Sequence, residues 1–348
     1  MERLFAGQRI LVVGGAGFVG SNLVCALLQQ DAGEVVVVDN LLSSERTNVP
    51  EDSRVTFVEG SIADEAILAR LRDDLDRVFH LATFHGNQNS IQDPMADHAN
   101  NTDTTLMLYE RIKTFRRLKS VVYAGAGCTA AEKTFGSARA TTEDDPISLR
   151  HDSPYQISKL IGEMYSYYYA NQHGMPIVVA RFQNVYGPGE ILGAGRWRGT
   201  AATVWRNVTP TFVYLALRGC PLPVEGTGEA TRDFIYVEDI VDGLLACAAR
   251  GRPGEAYNLA SGVETSVEVL ASLINHLAEN PTPIERRPQR AWDRSGKRFG
   301  STAKAARELR FLTKVPLEVG LRRTIAWTRD NLSLIESCIL RHAGHLTS

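Results

Sequence analysis

Short apolar runs alternate with amphipathic stretches over the first half of the chain. The clearest run is Glu34–Asp39, where four consecutive valines show no polar alternation, a pattern typical of a parallel strand covered on both faces. Similar runs predict strands at Arg9–Val13, Val55–Glu59, Val78–Leu81, Ser120–Ala124 and Ile177–Phe182, and the segments between them predict helices at Ser21–Gln30, Glu65–Leu75 and Met95–Lys113. This alternation predicts βαβ units, and therefore an α/β fold built on a doubly wound parallel sheet.

The pattern changes after about residue 185, where glycine and proline become frequent. Short strands are predicted at Leu222–Glu225 and Ala256–Leu259, a helix at Val267–Ala278, and an exposed loop at Pro281–Arg298. We therefore predict a nucleotide-binding domain over residues 1–185, with later segments near 230–260 interleaved into it. A smaller C-terminal α/β substrate lobe over 186–330 and a C-terminal tail over 331–348 are predicted to follow.

Composition and charge narrow the possible partners. The 348 residues are 44% hydrophobic and 22% charged, and the formal net charge of −2 gives no reason to expect nucleic acid as a partner. Five cysteines lack C-x-x-C spacing, which argues against a metal site or a disulfide framework and fits a reducing cytoplasm. The chain has no signal-peptide pattern and no apolar run approaching the roughly 18 residues of a membrane span, so no membrane association is expected.

A glycine loop joins the first predicted strand to the first predicted helix. Gly14, Gly17 and Gly20 are spaced G-x-x-G-x-x-G, and glycine lets the backbone turn sharply and approach a ligand. The free N–H groups at the helix start favour a pyrophosphate. Asp39 ends the next strand, where a carboxylate accepts hydrogen bonds from ribose hydroxyls and repels the 2′-phosphate of NADP. This arrangement is typical of a Rossmann domain and favours NAD, the alternative being a glycine turn without a ligand.

Tyr155 and Lys159 form a Y-x-x-x-K pair downstream of this loop. Residues four apart share one face of a helix, so the Lys159 ammonium can lie beside the Tyr155 hydroxyl and lower its pKa. A tyrosinate next to a dinucleotide is a base for oxidising an alcohol. Without the glycine loop the pair would be more simply explained as two common helix-surface residues.

These features occur together with four further motifs. They are His80–Ala82, Asn100, the R-x-x-N-x-Y-G-P turn at Arg181–Pro188 and the R-D-F-I-x-V-x-D stretch within Thr231–Asp239. In this order, from about residue 9 to about residue 330, they resemble the extended short-chain dehydrogenase/reductase family. More narrowly, the chain is similar to the NAD-dependent nucleotide-sugar epimerases and dehydratases, including the UDP-glucose 4-epimerases.

The resemblance implies a role for each matching position. The implied NAD-binding residues are Gly14, Gly17, Phe18, Val19, Gly20, Asp39, Asn40, Ser61, Ile62, Leu81, Ala82, Thr83, Asn100, Tyr155, Lys159 and Phe182. The implied nucleotide-sugar residues are His85, Asn184, Asn207, Val208, Arg232, Arg290 and Asp293. A homodimer is also implied, through the helices at about Met95–Lys113 and Pro154–His173.

One stretch departs from the family. Members place a Ser or Thr hydroxyl after the fifth strand, where this chain has Ala126, so Thr129, Cys128 or Thr83 must supply that hydrogen bond or Tyr155 must act alone. The family's dehydratases follow the hydroxyl with Asp-Glu, and this chain has Gly127 and Cys128 instead. Cys128 aligns with a thiol that some epimerases use to abstract a proton beside a ketone, and the alternative is a small cysteine packed behind the loop.

A second unusual stretch is the loop Gly193–Gly199, which carries two arginines. Arg196 or Arg198 could contact a sugar carboxylate or a phosphate, the alternative being a solvated basic turn. We predict an NAD-dependent nucleotide-sugar epimerase acting at C4 through a transient 4-keto sugar, with Tyr155, Lys159, Cys128 and Thr129 as candidate catalytic residues. The alternatives are an epimerase that inverts a neighbouring carbon with Cys128, and a non-catalytic protein that binds NAD or a nucleotide sugar.

Overall fold

The computed structural model describes residues 3–127, 136–290 and 296–346. Its strands are β1 (Arg9–Val13), β2 (Glu34–Asp39), β3 (Val55–Glu59), β4 (Arg77–His80), β5 (Ser120–Ala126), β6 (Ile177–Phe182), β7 (Asn184–Tyr186), β8 (Pro223–Glu225), β9 (Thr231–Tyr236), β10 (Ala256–Leu259), β11 (Glu264–Ser266) and β12 (Glu285–Arg287). Its α-helices are α1 (Phe18–Gln29), α2 (Glu65–Ala69), α3 (Asn87–Gln92), α4 (Pro94–His98), α5 (Thr104–Ile112), α6 (Pro154–His173), α7 (Val208–Leu217), α8 (Val237–Arg250), α9 (Val267–Leu277), α10 (Leu317–Asp330), α11 (Leu332–Leu340) and α12 (Ala343–Leu346).

The central sheet has the strand order β10-β6-β5-β4-β1-β2-β3, and every neighbouring pair is parallel. Because successive side chains of a strand face opposite sides, β1 contributes to two apolar cores. Ile10 and Val12 pack with helices α1 and α8 on one side, and Leu11 and Val13 pack with α2 and α5 on the other. The predicted α/β fold with a doubly wound parallel sheet is therefore confirmed.

The buried strands were the most predictable elements. Their observed bounds equal the predicted ones for β1, β2, β3, β6 and β10. β4 begins one residue earlier than predicted, and β5 continues to Ala126. Strands covered on both faces need continuous apolar runs, so the sequence marks where they begin and end.

Two predicted helices were wrong in extent. The one predicted over Met95–Lys113 consists of α4, a π-helical turn at Ala99–Asp103, and α5. At this turn the Thr104 and Thr105 hydroxyls donate to the carbonyls of Asn100 and Asn101, and such back-bonding competes with the regular helix ladder. The helix predicted over Glu65–Leu75 ends at Ala69, and Asp74 beyond it forms an ion pair with Arg9 of β1.

A second region covers the carboxyl ends of the central strands. It contains a three-stranded sheet of β11, β9 and β7, and the parallel pair β12 and β8. The pair corrects the predicted exposed loop Pro281–Arg298, because Glu285–Arg287 forms β12 and the Arg298 side chain is buried. Sequence reasoning gave no boundaries for the helices α10 and α11.

The end of the chain packs against the loop that follows β7. Ile335 and Cys338 of α11 are buried against Ile191, Leu192 and Ala194. Just beyond α11, Arg341 forms an ion pair with Glu45, and His342 Nε2 lies 2.9 Å from the Gly193 carbonyl oxygen. Among the described residues, no helix combines the length and the apolar composition that crossing a membrane requires.

Candidate active site

A cavity of about 400 Å³ opens at the carboxyl ends of β1, β2, β4, β5 and β6. Parallel α/β sheets place ligands at this edge because the loops leaving the strands diverge there. Every residue that the sequence assigned to NAD lines the cavity, as do five of the seven assigned to the nucleotide sugar. The structure thus brings together positions from residue 14 to residue 232.

The glycine loop forms one wall, and its glycines are sterically required. Gly14 has φ 84°, and a Cβ there would lie 2.6 Å from the Ala82 backbone nitrogen. At Gly20 a Cβ would collide with the Gly14 carbonyl. Helix α1 begins directly after the loop at Phe18, so its unpaired N–H groups lie at the cavity wall. This close-packed turn fits the pyrophosphate of a dinucleotide.

Asp39 lies at the end of β2 and is held in a fixed position. Its carboxylate accepts hydrogen bonds from the Ala16 N–H at 3.0 Å, the Leu41 N–H at 2.9 Å and the Ser44 hydroxyl at 2.9 Å. Burial raises the pKa of Asp39, and these hydrogen bonds counter that effect. The carboxylate is therefore oriented beside the glycine loop, where a dinucleotide would present its adenosine ribose.

Helix α6 places Tyr155 and Lys159 on the wall of the same cavity. The Ser153 hydroxyl caps the helix by accepting from the Gln156 N–H, and the Tyr155 N–H donates to the Ser90 hydroxyl at 3.1 Å. Lys159 is buried, with Nζ 4.6 Å from the centre of the Tyr123 ring. The first turn of α6 is thus tied to α3 and to the sheet, which fixes the Y-x-x-x-K face toward the cavity.

His85 packs edge-on against Tyr155, with ring centres 5.7 Å apart. Burial lowers the pKa of His85 to about 3, helped by the charges of Arg206, Arg198 and Lys159. The imidazole is therefore neutral at physiological pH, and its Nδ1 has no hydrogen-bond partner. A neutral imidazole beside Tyr155 can accept a hydrogen bond from a bound sugar.

Ala126, which the sequence comparison puts at the position of the family's hydroxyl, ends β5 and lines the cavity. Thr83 lines it too, and its hydroxyl donates to Asn101 Oδ1 at 3.0 Å, which leaves its lone pairs to accept. Cys128, Thr129 and Asp293 lie outside the described residues. Their predicted roles stay predictions.

Of the six nucleotide-sugar candidates that the structure describes, five line the same cavity. Asn184, Asn207, Val208 and Arg232 line it, from β7, the start of α7 and β9. Arg290 does not line it and forms an ion pair with Glu225. A bracket of two arginines around a diphosphate is therefore not assembled in this structure, and the role of Arg290 stays a prediction.

Three further charged residues line the cavity that sequence reasoning did not assign: Glu190, Arg206 and Arg298. The Glu190 carboxyl is buried, accepts a hydrogen bond from the Asn207 amide, and has its pKa raised to about 7 by that burial. In the sequence, Glu190 could have been noticed as a glutamate that directly follows the Tyr186–Gly189 turn. The described ranges bring no three histidine, cysteine or carboxylate side chains together as a metal site would require.

Comparison with known proteins gives a consistent picture. Residues 10–260 match the model of the NAD dependent epimerase/dehydratase family. Over 331 residues the chain is 30% identical to a UDP-glucose 4-epimerase of Mycolicibacterium smegmatis, covering 93% of this chain and 99% of the relative. It is 29% identical over 351 residues to a dTDP-glucose 4,6-dehydratase of Streptomyces antibioticus, covering 97% of each chain.

Among solved structures, the Bordetella bronchiseptica enzyme WbmF in complex with NAD+ and UDP is 57% identical, with a TM-score of 0.90 and 99% of each chain covered. The similarity spans both the central sheet and the region that covers it.

Proposed function

The chain belongs to the NAD-dependent epimerase/dehydratase family and takes NAD as its cofactor, and on that premise we propose that it interconverts two epimers of a nucleotide sugar at C4. One observation carries the proposal: Tyr155 and Lys159 face the same cavity as the glycine loop and Asp39. The loop that fits a dinucleotide and the base for a sugar hydroxyl thus line one cavity.

The chain's own residues supply positioning and proton transfer. When bound, NAD accepts a hydride from the sugar carbon and later returns it. Tyr155 removes the hydroxyl proton as the hydride leaves, and returns it in the second half of the reaction. Lys159, on the next turn of α6, places its positive charge beside the Tyr155 oxygen and favours the tyrosinate. Epimerisation at C4 requires the 4-keto sugar to rotate within the cavity, so that the hydride returns to its other face.

The sequence that follows β5 supports an epimerase over a dehydratase. Elimination of water needs a further acid and base beside the ketone, and Gly127 and Cys128 stand where the family's dehydratases carry Asp-Glu. Uridine diphosphate is the proposed nucleotide, because WbmF was solved with UDP. Asn184 and Arg232, from β7 and β9, are the proposed contacts to its diphosphate. We also propose that the enzyme is a cytoplasmic homodimer.

A second candidate is favoured by Ala126. Without a hydroxyl at that position, the oxidation step lacks one hydrogen bond, whereas the thiol of Cys128 offers an acid–base group for inverting a carbon next to a ketone. In that reaction a proton leaves carbon and one returns to its other face. The two candidates therefore differ in solvent exchange.

The deciding experiment incubates the NAD-loaded enzyme in deuterated water with UDP-, GDP-, CDP- and dTDP-sugars, followed by NMR. An epimer without carbon-bound deuterium supports C4 epimerisation, because the hydride never meets solvent. Deuterium in the product, lost in Cys128→Ser, supports the second candidate. A dehydrated product would contradict both, and no turnover with any sugar would leave only the non-catalytic alternative.

A further inference from the structure

Two arginines next to the sugar side of the cavity have no carboxylate partner. Arg198 is only 5% exposed, and its guanidinium donates to the carbonyls of Leu42 and Thr203. Arg206 lines the cavity and donates to the carbonyls of Ser43 and Ala194. In both, Nε is buried without a hydrogen-bond partner, and neither guanidinium forms an ion pair with a described carboxylate. We define these two residues as the arginine pair.

The charge of this pair is poorly compensated. Burial, followed by the charge of Arg206, lowers the pKa of Arg198 to about 9. Two carboxylates act on Arg206 from a distance, Glu190 and Glu45. Glu45 already forms an ion pair with Arg341 at 2.8 Å, and the Glu190 pKa of about 7 leaves much of that carboxyl neutral. Buried charges in proteins normally have a partner of opposite charge. We therefore expect an anionic ligand to bind beside the arginine pair.

The position of the pair indicates which anion. The Thr200 hydroxyl, in the segment between the two arginines, donates to the Asn89 side chain of α3, and the neighbouring Ser90 hydroxyl accepts from the Tyr155 N–H at 3.1 Å. The pair therefore lies on the side of the cavity where the sugar is oxidised. The proposed contacts to the diphosphate, Asn184 and Arg232, come instead from the sheet of β7 and β9.

Arg206 lines the cavity, whereas Arg198 is buried outside its lining. We propose that Arg206 binds a carboxylate on the sugar, with Arg198 adding its positive charge from outside the cavity wall, so that the substrate is a nucleotide-linked hexuronate. Guanidinium groups bind carboxylates through parallel charge-assisted hydrogen bonds, and a neutral hexose leaves the buried charges uncompensated. The assignment rests on the proposed function, because it presumes that a nucleotide sugar occupies the cavity. A phosphate of the substrate or of the cofactor presents the same anionic chemistry, and the test separates these sources.

The test is titration calorimetry of the NAD-loaded enzyme with UDP-glucuronate, UDP-glucose and UDP. Wild type is expected to bind UDP-glucuronate at least ~30-fold more tightly than UDP-glucose. Arg206→Gln reduces this preference by about 10–100-fold, the effect of losing hydrogen bonds to a charged group. Arg198→Gln removes a charge outside the cavity lining and reduces the preference by about 3–10-fold, while UDP affinity changes less than about 3-fold in both variants. Arg218→Gln is the control, because Arg218 is an exposed arginine outside the lining of the cavity and its loss leaves the preference unchanged.

Three outcomes overturn the assignment. Equal wild-type affinity for UDP-glucuronate and UDP-glucose would show that the site does not bind a sugar carboxylate. Weakening of UDP together with both sugars in the arginine variants assigns the anion to the diphosphate, and weakening of NAD alone assigns it to the cofactor. Arg198→Lys, which keeps a charge, and thermal melting of every variant separate lost binding from lost folding. The calorimetry measures binding without any reaction, so it tests the carboxylate contact alone. The NMR experiment in deuterated water tests the proposed epimerase activity separately.

Discussion

At the scale of single residues, the site depends on side chains that are held in place by others. Lys159 is enclosed beneath Tyr123, whose hydroxyl donates to the Lys159 carbonyl at 3.3 Å, and Tyr155 is tied through its backbone to Ser90. The Tyr155 hydroxyl is the group that titrates in the proposed reaction. Removing only that hydroxyl leaves the ring and its packing against His85.

Tyr155→Phe is therefore expected to lower turnover by about 10²–10⁴-fold, the usual effect of losing a general base, with NAD binding nearly unchanged. Turnover is measured by NMR and NAD affinity by calorimetry. The control is Tyr168→Phe on the exposed side of the same helix, which should behave as wild type. A Tyr155→Phe enzyme with wild-type turnover would show that another group is the base.

Glu190 gives stability a distinctive pH dependence. Burial raises its pKa from 4.5 to about 7, so the folded state binds this proton more tightly than the unfolded state. The resulting stabilisation is complete below about pH 4.5 and is lost as pH rises through 7, in total on the order of 3 kcal/mol. Glu190→Gln cannot lose a proton, so the variant should gain stability relative to wild type between pH 5 and pH 8.

Urea unfolding at several pH values measures this difference. Glu45→Gln is the control of opposite sign: burial raises the pKa of Glu45, but hydrogen bonds from Arg341 and Gly195 lower it overall. Its stabilisation is present at neutral pH and fades as the solution becomes acidic. A Glu190→Gln curve parallel to wild type from pH 5 to pH 8 would refute a raised pKa.

Residues with a role in a local pattern could be found from sequence, and residues that act through tertiary proximity could not. Gly14, Asp39, Tyr155 and Lys159 stand at fixed spacings beside strands or on a helix face, and all reach the cavity. Arg206, in contrast, meets Ser43 across 163 positions of the chain. No local pattern encodes such an encounter, and an arginine at a helix start is ordinary in itself.

At the scale of elements, the break between α4 and α5 organises the site. Asn101 in the π-helical turn is buried, and its amide donates to Asp97 at 2.8 Å and to the Ser158 hydroxyl at 3.0 Å. Its carbonyl oxygen accepts from the Thr83 hydroxyl and from the Phe84 N–H. One amide thus joins the loop after β4, α4 and α6. The sequence predicted an unbroken helix here because its apolar spacing continues through the turn.

Asn101→Leu is expected to destabilise the fold by on the order of 3 kcal/mol, because four polar groups lose their buried partner while size is nearly kept. Chemical denaturation measures the loss. Asp103→Ala, in the same turn but half exposed and paired only with His98, should cost well under 1 kcal/mol. Equal effects of the two substitutions would mean that the turn, and not the amide network, determines stability.

At the scale of the whole molecule, three helices that pack together, α3, α4 and α6, carry several exposed apolar side chains. Met95 of α4 and Met164 of α6 are 74% and 58% exposed, and Ile91 of α3 and Tyr168 of α6 are exposed nearby in the fold. Apolar patches of this kind mark interfaces, and α4 and α6 belong to the helices through which a homodimer is predicted. The dimer itself stays a prediction.

The double variant Met95→Glu, Met164→Glu is expected to sediment as a monomer at micromolar concentration, because two buried and unpaired carboxylates per subunit would oppose association. Leu312→Glu is the control, since Leu312 is 66% exposed and lies beyond β10, outside these helices. Analytical ultracentrifugation reads the result. A wild-type monomer would contradict the predicted dimer directly, whatever the variants do.

The segment Leu42–Glu45 has a consequence for how the binding of the two ligands is coupled. It follows Asp39, and its carbonyls hold the guanidinium groups of Arg198 and Arg206, while Glu45 is clamped by Arg341 from the end of the chain. A cofactor that orders this segment from the adenosine side should therefore also order Arg198 and Arg206. By thermodynamic reciprocity, NAD should raise affinity for an acidic sugar by the same factor that the sugar raises affinity for NAD. We expect this mutual factor to fall toward one in Arg341→Ala, because Arg341 holds Glu45 and with it the segment that links the two ligands.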